Sequence, residues 1–248
     1  MHYTQQTYTI HAPKPYLFIG SKIRGMFGYA LKNEVCINPN LQCKGCFSAK
    51  SCLFYQLYEQ KNTTQNFRLD FELFQQEFSF SLLLFGNLQH QTSLLHQAML
   101  QALGEYEVSF FSKEHQTPTI TNTPKKLKLS FVTPLRMKKN NKFAKDNITL
   151  LDILLSIHKR ATHIQQLPYQ KIHLDTNYTI LSQELYYQEL LRKSNRQKTK
   201  MYLGGIMGEM VVQNISQKAY ELLKLGEVIG VGKSTTFGLG KIKLEELV

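Results

Sequence analysis

No run of apolar residues in this chain approaches the roughly 18 that a membrane-spanning helix needs. No basic start leads into an apolar stretch either, so neither a membrane span nor a secretory signal is expected. Cysteine is limited to four residues, which in the absence of a signal places the chain in a reducing, cytoplasmic setting. Those four are then thiols or metal ligands before they are disulfides. Acidic residues are scarce: 18 Asp and Glu stand against 30 Lys and Arg, giving a net charge of +12. Histidine is missing altogether between His11 and His90.

What is present fits that imbalance. The cations come in tracts: Lys125, Lys126 and Lys128; then Arg136, Lys138, Lys139, Lys142 and Lys145; then Arg192, Lys193, Arg196, Lys198 and Lys200. Clustered cations neutralise phosphates and release counterions, so a nucleic acid is the expected partner. The segment Leu225–Lys241 holds five glycines together with Lys233, Ser234, Thr235 and Thr236. Glycine lets a backbone come close to a phosphate and adopt positive φ, and successive amides can form an anion-binding nest. A nucleotide P-loop is excluded by spacing. That motif places a glycine five residues before its Gly-Lys pair, and five before Gly232 stands Glu227. Nor does Phe237-Gly-Leu-Gly240 read as a helix.

With 248 residues, 42% of them hydrophobic, the chain can build one large or two small cores. Thr7–His11 alternates like a strand and is broken by Pro13 and Pro15. Ser21–Val35 reads as a helix with Ile23, Phe27, Ala30 and Leu31 inward and Lys22, Gly25, Tyr29 and Lys32 on the opposite stripe. Phe67–Phe74 and Glu77–Phe85 read as strands around Gln75-Gln76, and Thr92–Leu103 as a helix ended by Gly104. Tyr106–Phe110 is a further strand. The order is β-α-β-β-α-β, the split βαβ arrangement. A Pro/Thr-rich stretch, Thr117–Pro124, is the expected linker.

The second half repeats the order. Leu127–Val132 is a strand, and Thr149–Ile164 a helix capped by Asn147 or Thr149. Leu185–Arg192 reads equally as helix or strand. Met207–Val212 is a strand, Ser216–Leu225 a helix capped by Ser216, and Gly238–Leu244 a final strand. The expected fold class is α+β: two tandem ferredoxin-like (RRM-like) domains, residues 1–118 and 125–248, with a four-cysteine insertion at 36–52.

Three segments carry a resemblance that covers most of the chain. They are Lys22-Ile-Arg-Gly-Met-Phe-Gly-Tyr-Ala-Leu-Lys32, Phe131-Val-Thr-Pro-Leu-Arg136, and the late stretch from Arg196-Gln197 through Met201–Glu209 to the glycine-rich Leu225–Gly240. In order and spacing the chain resembles the CRISPR-associated endoribonucleases of the RAMP superfamily, which cut precursor CRISPR RNA within its repeats. The resemblance implies tandem ferredoxin-like folds with repeat RNA across the cleft and along the glycine-rich loop. It implies cleavage without a metal cofactor: the ribose 2′-hydroxyl attacks the adjacent phosphate, leaving a 2′,3′-cyclic phosphate and a 5′-hydroxyl. It also admits a homodimer and association with other CRISPR effector subunits.

Such chemistry needs a group to take the 2′-OH proton, charge to stabilise the phosphorane, and an acid for the leaving oxygen. Members of that family often carry a histidine on the first helix, where this chain has Tyr29. A phenol of ordinary acidity is almost wholly protonated at neutral pH, which suits an acid or a hydrogen-bonding group. Tyr29 is the candidate proton donor; Lys22, Arg24 and Lys32 are candidates for phosphate charge, and His11 for entering the same cleft. His158 and His163 are minor candidates on the later helix. Lys233 and Ser234, with the amides around Gly230, Gly232 and Gly238, are expected to hold the RNA backbone, and Arg196, Lys198 and Lys200 to track phosphates nearby.

The cysteines run Cys36-x6-Cys43-x2-Cys46-x5-Cys52. The central Cys-x2-Cys is a usual metal knuckle, and four thiolates make a closed tetrahedral zinc site or the ligands of an iron–sulfur cluster. Such a site has no open position, so any metal there is expected to be structural. Two further readings stand beside the nuclease: a catalytically weak repeat-RNA-binding subunit, and a zinc-knuckle adaptor with a protein partner. The missing histidine supports the first of these.

Overall fold

A computed structural model describes residues 1–13, 18–40, 42–61, 63–73, 76–139, 141–194 and 199–247, with side chains left undescribed at 193, 194 and 199–201. The first half runs β1 (His2–Ile10), α1 (Gly20–Val35), a π-helical turn (Tyr55–Glu59), β2 (Phe67–Asp70) and β3 (Ser79–Phe85). A 3-10 turn (Gly86–Gln91), α2 (Thr92–Leu103) and β4 (Val108–Gln116) complete it. The second half runs β5 (Lys126–Leu135), a short hairpin of β6 (Lys138–Lys139) and β7 (Lys142–Phe143), α3 (Leu150–Ile164), and the long strands β8 (Thr179–Ser194) and β9 (Thr199–Gln213). It closes with α4 (Gln217–Ile229), a 3-10 turn (Thr235–Phe237) and β10 (Ile242–Leu247).

Each half makes an antiparallel sheet of four strands, in the orders β2-β3-β1-β4 and β10-β5-β9-β8. Both are the ferredoxin-like order, with the first and third strands of each half at the centre. The helix caps are local chemistry. The Thr149 side chain accepts from the Asp152 amide while Asp152 accepts from the Thr149 amide, a capping box. Ser216 accepts from Ala219 at the start of α4.

One strand joins the two cores. Phe80, Leu82 and Leu84 of β3 belong to the core of the first half, with Phe27, Leu31 and Leu95. Leu83 and Phe85 belong to the core of the second, with Leu129, Leu154 and Ile164. A strand buried on both faces loses its polar alternation, which explains the near-continuous apolar run of Ser79–Phe85.

Several boundaries differ from the sequence expectations. The first strand begins at His2 rather than Thr7, and β2 stops at Asp70; Phe74 and Gln75 lie outside the described residues. The strand expected at Tyr106–Phe110 is Val108–Gln116, and α4 runs on to Ile229. Leu185–Arg192 is strand. The last strand begins at Ile242, not Gly238, because Gly238 (φ 80°) and Gly240 (φ 73°) are in the left-handed region. A Cβ at Gly240 would meet the Val231 carbonyl oxygen at 1.9 Å, so only glycine fits that crossing.

Candidate nucleic-acid interface

The glycine-rich loop is fixed by β5. A register shift between Phe131 and Leu135 opens β5 at Pro134, which has no N–H to give to the ladder. The loop fills the gap: Gly240 N–H donates to the Pro134 carbonyl, and Lys233 N–H to the Arg136 carbonyl at 2.7 Å. Thr133 Oγ1 donates to the Gly238 carbonyl and accepts from the Lys241 amide, both at 2.9 Å.

This arrangement spends the amides expected to hold RNA. Gly230 N–H donates to Gly226 O, Gly238 N–H to Thr235 O, and Gly232 N–H to Ser156 Oγ at 3.1 Å. Among the described residues, only the amides of Ser234, Thr235 and Thr236 in the middle of the loop donate to no protein group. Lys233 is exposed, and Ser234 takes φ 68°. The glycines therefore shape the loop, and its outward chemistry belongs to Lys233 through Thr236.

Against the loop stands Arg24 of α1. Its guanidinium lies between two rings, 4.4 Å from the centroid of Tyr58 and 4.7 Å from that of Phe237. Its Nε donates to Thr236 Oγ1 at 3.1 Å, and Tyr58 Oη donates to the Arg24 carbonyl at 2.9 Å. Arg192 of β8 sits over the same Phe237 ring at 5.0 Å, and its buried Nε has no partner. Burial draws the Arg24 guanidinium below its ordinary value, and the positive field of Arg192 adds to that against the opposing fields of Tyr58 and Glu59. Burial and Arg192 act on Arg136 in the same direction. No carboxylate within salt-bridge distance pairs with Arg24, Arg192 or Arg136 among the described residues. Guanidiniums stacked on rings, with no carboxylate at salt-bridge distance, suit a phosphate.

Beneath them an ionic network ties the halves together. Arg68 of β2, 2% exposed, pairs with Asp70 and donates Nη1 to the Glu227 carbonyl at 3.2 Å. Lys241 pairs with Asp70 at 3.1 Å and lies 3.6 Å from Glu72. Burial pushes the Asp70 carboxyl up, but Arg68 and Lys241 outweigh it and hold it below the usual range.

The other expected site residues are dispersed. Tyr29 is 73% exposed and hydrogen-bonds to no protein group among the described residues; five residues on from Arg24, it points about 140° away around the helix. Lys22 is exposed. Lys32 faces the cysteine segment, 5.8 Å from the Phe54 ring. His11 shares a 2.6 Å hydrogen bond with Ser109 of β4, the sheet edge opposite β2. His158 bonds the Gln170 carbonyl and His163 accepts from the Thr64 amide. Arg196 and Lys198 lie outside the described residues, and Lys200 is described only as backbone of β9. Sequence reasoning missed Tyr58, Arg192, Thr236 and Phe237 as a unit, because they meet Arg24 from distant positions.

Cys36, Cys43, Cys46 and Cys52 are half-buried free thiols lining one cavity of about 250 Å³. Burial pushes the Cys43 thiol up, and Glu59, Cys36 and Cys52 add to this against Lys32. Among the described residues, no three His, Cys, Asp or Glu side chains are grouped closely enough to hold a metal ion. The four sulfurs thus share a cavity without standing at ligand distances. No described helix is long and apolar enough to cross a membrane.

Comparison with known proteins agrees with this architecture. A family model described as CRISPR-associated endoribonuclease Cas6 matches residues 129–242, and one for an N-terminal domain matches residues 8–118. No curated protein matches the chain. Among solved structures, a Cas6 product complex aligns with a TM-score of 0.60 at 18% identity, over 99% of this chain and 100% of that one. A Thermus thermophilus Cas6 aligns with a TM-score of 0.58 at 16% identity, over 98% of each. The product of a Cas6-related gene from Pyrococcus furiosus aligns with a TM-score of 0.54 at 13% identity, over 99% of each. At these identities the structural likeness is one of fold, and the family match covers residues 129–242: the second half of the chain is similar to the CRISPR-associated endoribonuclease Cas6.

Proposed function

We propose that the protein cuts precursor CRISPR RNA within its repeats, using the ribose 2′-hydroxyl as nucleophile and no metal cofactor. The reading rests on one observation above others. Arg24 is held between Tyr58 and Phe237, tied to Thr236, and shares the Phe237 ring with Arg192, with no carboxylate at salt-bridge distance of either among the described residues. A scissile phosphate there would gain charge as the phosphorane forms, and fixed guanidiniums stabilise that charge more than they stabilise the ground state. Lys233 and the hydroxyls of Ser234 and Thr235 would carry the strand along the loop. Relatives of this fold have been solved as a product complex and as a substrate-mimic complex.

The test is incubation of repeat RNA with purified protein in EDTA, with the product ends identified. One cut leaving a 5′-hydroxyl and a cyclic phosphate is the expected result; whole RNA, or 3′-hydroxyl ends, would sink the proposal. Tyr29→Phe tests the proton donor expected from the sequence: because Tyr29 points about 140° around α1 from Arg24, cleavage at the Arg24 cluster should be little changed. The free position of Tyr29 on α1 favours a second reading, a subunit that holds repeat RNA without cutting it. Tight, salt-dependent binding with intact RNA would select that reading.

We further propose that the four cysteines take up one structural zinc. Their shared cavity and soft donor set fit that ion, which when bound would pin the 36–52 segment beside α1. Metal analysis should find about one zinc per chain. Stripping it should lower Tm by roughly 5 °C or more while leaving cleavage intact below the transition. Protein isolated without zinc, and indifferent to added zinc, would refute this.

A further inference from the structure

The second side of the glycine-rich loop faces a cavity of about 400 Å³. It lies between the loop, α3, the end of β5 with its β6–β7 hairpin, and residues 63–65 of the first half. It shares Thr236 with the Arg24 cluster, but Arg24, Tyr58, Arg192 and Phe237 do not line it.

Its charge is one-sided. Arg136, Lys138, Lys139, Lys159, Arg160 and Lys233 line it, against a single carboxylate, Asp152. That carboxylate already caps α3 through Thr149 and lies 3.6 Å from Lys139. Arg160 is 7% exposed. Its Nε donates to the Ile229 carbonyl at 2.7 Å, and its buried Nη2 donates to nothing. Burial, with the positive field of Arg68, draws this guanidinium down to about 9. Arg136 gives Nη1 to the Gly204 carbonyl and stacks 4.2 Å from Phe143, leaving its own buried Nε unspent. A buried cation that faces another cation and keeps an unused N–H is an incomplete arrangement, and an anion completes it.

The remaining wall is mixed, with Thr63, Thr64 and Gln65 polar. Met137, Ile148 and Leu155 line it with Tyr169, and Ser156 and Thr235 add hydroxyls. Cations beside apolar side chains and one aromatic ring match a phosphate linked to a base. Lys233 lines the entrance and Thr236 joins it to the Arg24 cluster, so a strand leaving that cluster along the loop passes into it.

We propose that this cavity is a subsite for one nucleotide of the bound RNA, its phosphate met by Arg136, Lys159 and Arg160 and its base laid against Met137 and Leu155. The proposal rests on the RNA-binding reading above and adds a second point of hold, away from the bond to be cut.

Ala144→Trp fills the cavity, and Lys159→Glu reverses an exposed charge at its rim without touching the core. Lys218→Glu, exposed on α4 and outside the cavity, controls for net charge. Repeat-RNA affinity is read by fluorescence anisotropy, together with a set of RNAs each carrying one abasic position. Ala144→Trp and Lys159→Glu should each weaken binding about tenfold, and Lys218→Glu less than about twofold. One abasic position should weaken the wild type and cost nothing further in Ala144→Trp. Wild-type affinity in both cavity variants would overturn the subsite alone; a wild type that binds no repeat RNA would overturn the reading beneath it. Adenosine 5′-monophosphate that binds the wild type but not Ala144→Trp, with RNA affinity equal in both, would overturn the RNA subsite in favour of a free nucleotide.

Discussion

Arg24→Met should lower the cleavage rate at saturating repeat RNA by about 10²- to 10³-fold, the usual cost of losing one preorganised donor to developing charge. Methionine keeps an unbranched stem between the Tyr58 and Phe237 rings but removes the charge and the bond to Thr236. Affinity should fall far less, because Arg192 and Lys233 remain to meet phosphate. Arg24→Lys is the informative companion. Lysine restores the charge without the planar fork that both stacks on two rings and donates from Nε, so only part of the rate should return. Single-turnover kinetics separates binding from chemistry. If both variants cut at the wild-type rate, Arg24 is a structural wedge between α1 and the loop, and phosphorane charge is met elsewhere.

Asp70→Asn is expected to destabilise the fold by about 3 kcal/mol, the lower end of the cost of breaking a buried ion pair. It leaves Arg68, 2% exposed, without a counter-ion and loosens Lys241. The lower end applies because the Asp70 side chain keeps 22% of its exposure. The pH dependence has a definite sign. Arg68 and Lys241 hold the folded-state carboxyl below its unfolded value. The carboxylate's contribution is therefore complete above about pH 4, the unfolded value, and is lost as pH falls through the depressed folded value. Urea unfolding at pH 7 should separate wild type from variant, and the gap should narrow toward pH 3. A gap that is absent at pH 7, or that widens in acid, would show that the Arg68–Asp70–Lys241 network contributes no net stability.

The helices were the most legible part of this chain. The spacing of Leu95, Ala98, Met99 and Leu103, with Gly104 behind them, marks α2 at both of its observed ends. Thr149 with Asp152 marks the start of α3. The strands that resisted are those that bury no face. Residues 109–114 of β4 and 179–184 of β8 are exposed, so neither stretch carries the period-two pattern that sequence reading depends on. The bulge in β5 was likewise invisible, since Pro134 signals a break but not what fills it.

The site was legible in its parts and not in its assembly. Arg24 and the glycine-rich loop stood out by composition. The ring stack did not, because Tyr58 follows Arg24 by 34 residues and Thr236 by 212. The occupation of the glycines' own amides is hidden for a related reason: their acceptors include Ser156, 76 residues away from Gly232. Local sequence shows that a loop can turn tightly, whereas only the packed structure shows that its N–H groups are already occupied.

The bond from Arg24 to Thr236 also bears on how the protein comes into being. A contact closing 212 residues of chain costs loop entropy that shorter contacts must first offset. The phosphate cluster is therefore among the last features to form as the chain folds, after both sheets have settled. Partly folded chains, however basic, present RNA with scattered lysines and no stacked guanidiniums. RNA bound to the finished cluster, as proposed above, would hold the folded state against the unfolded one by mass action, and the repeat would then act as a late-arriving brace.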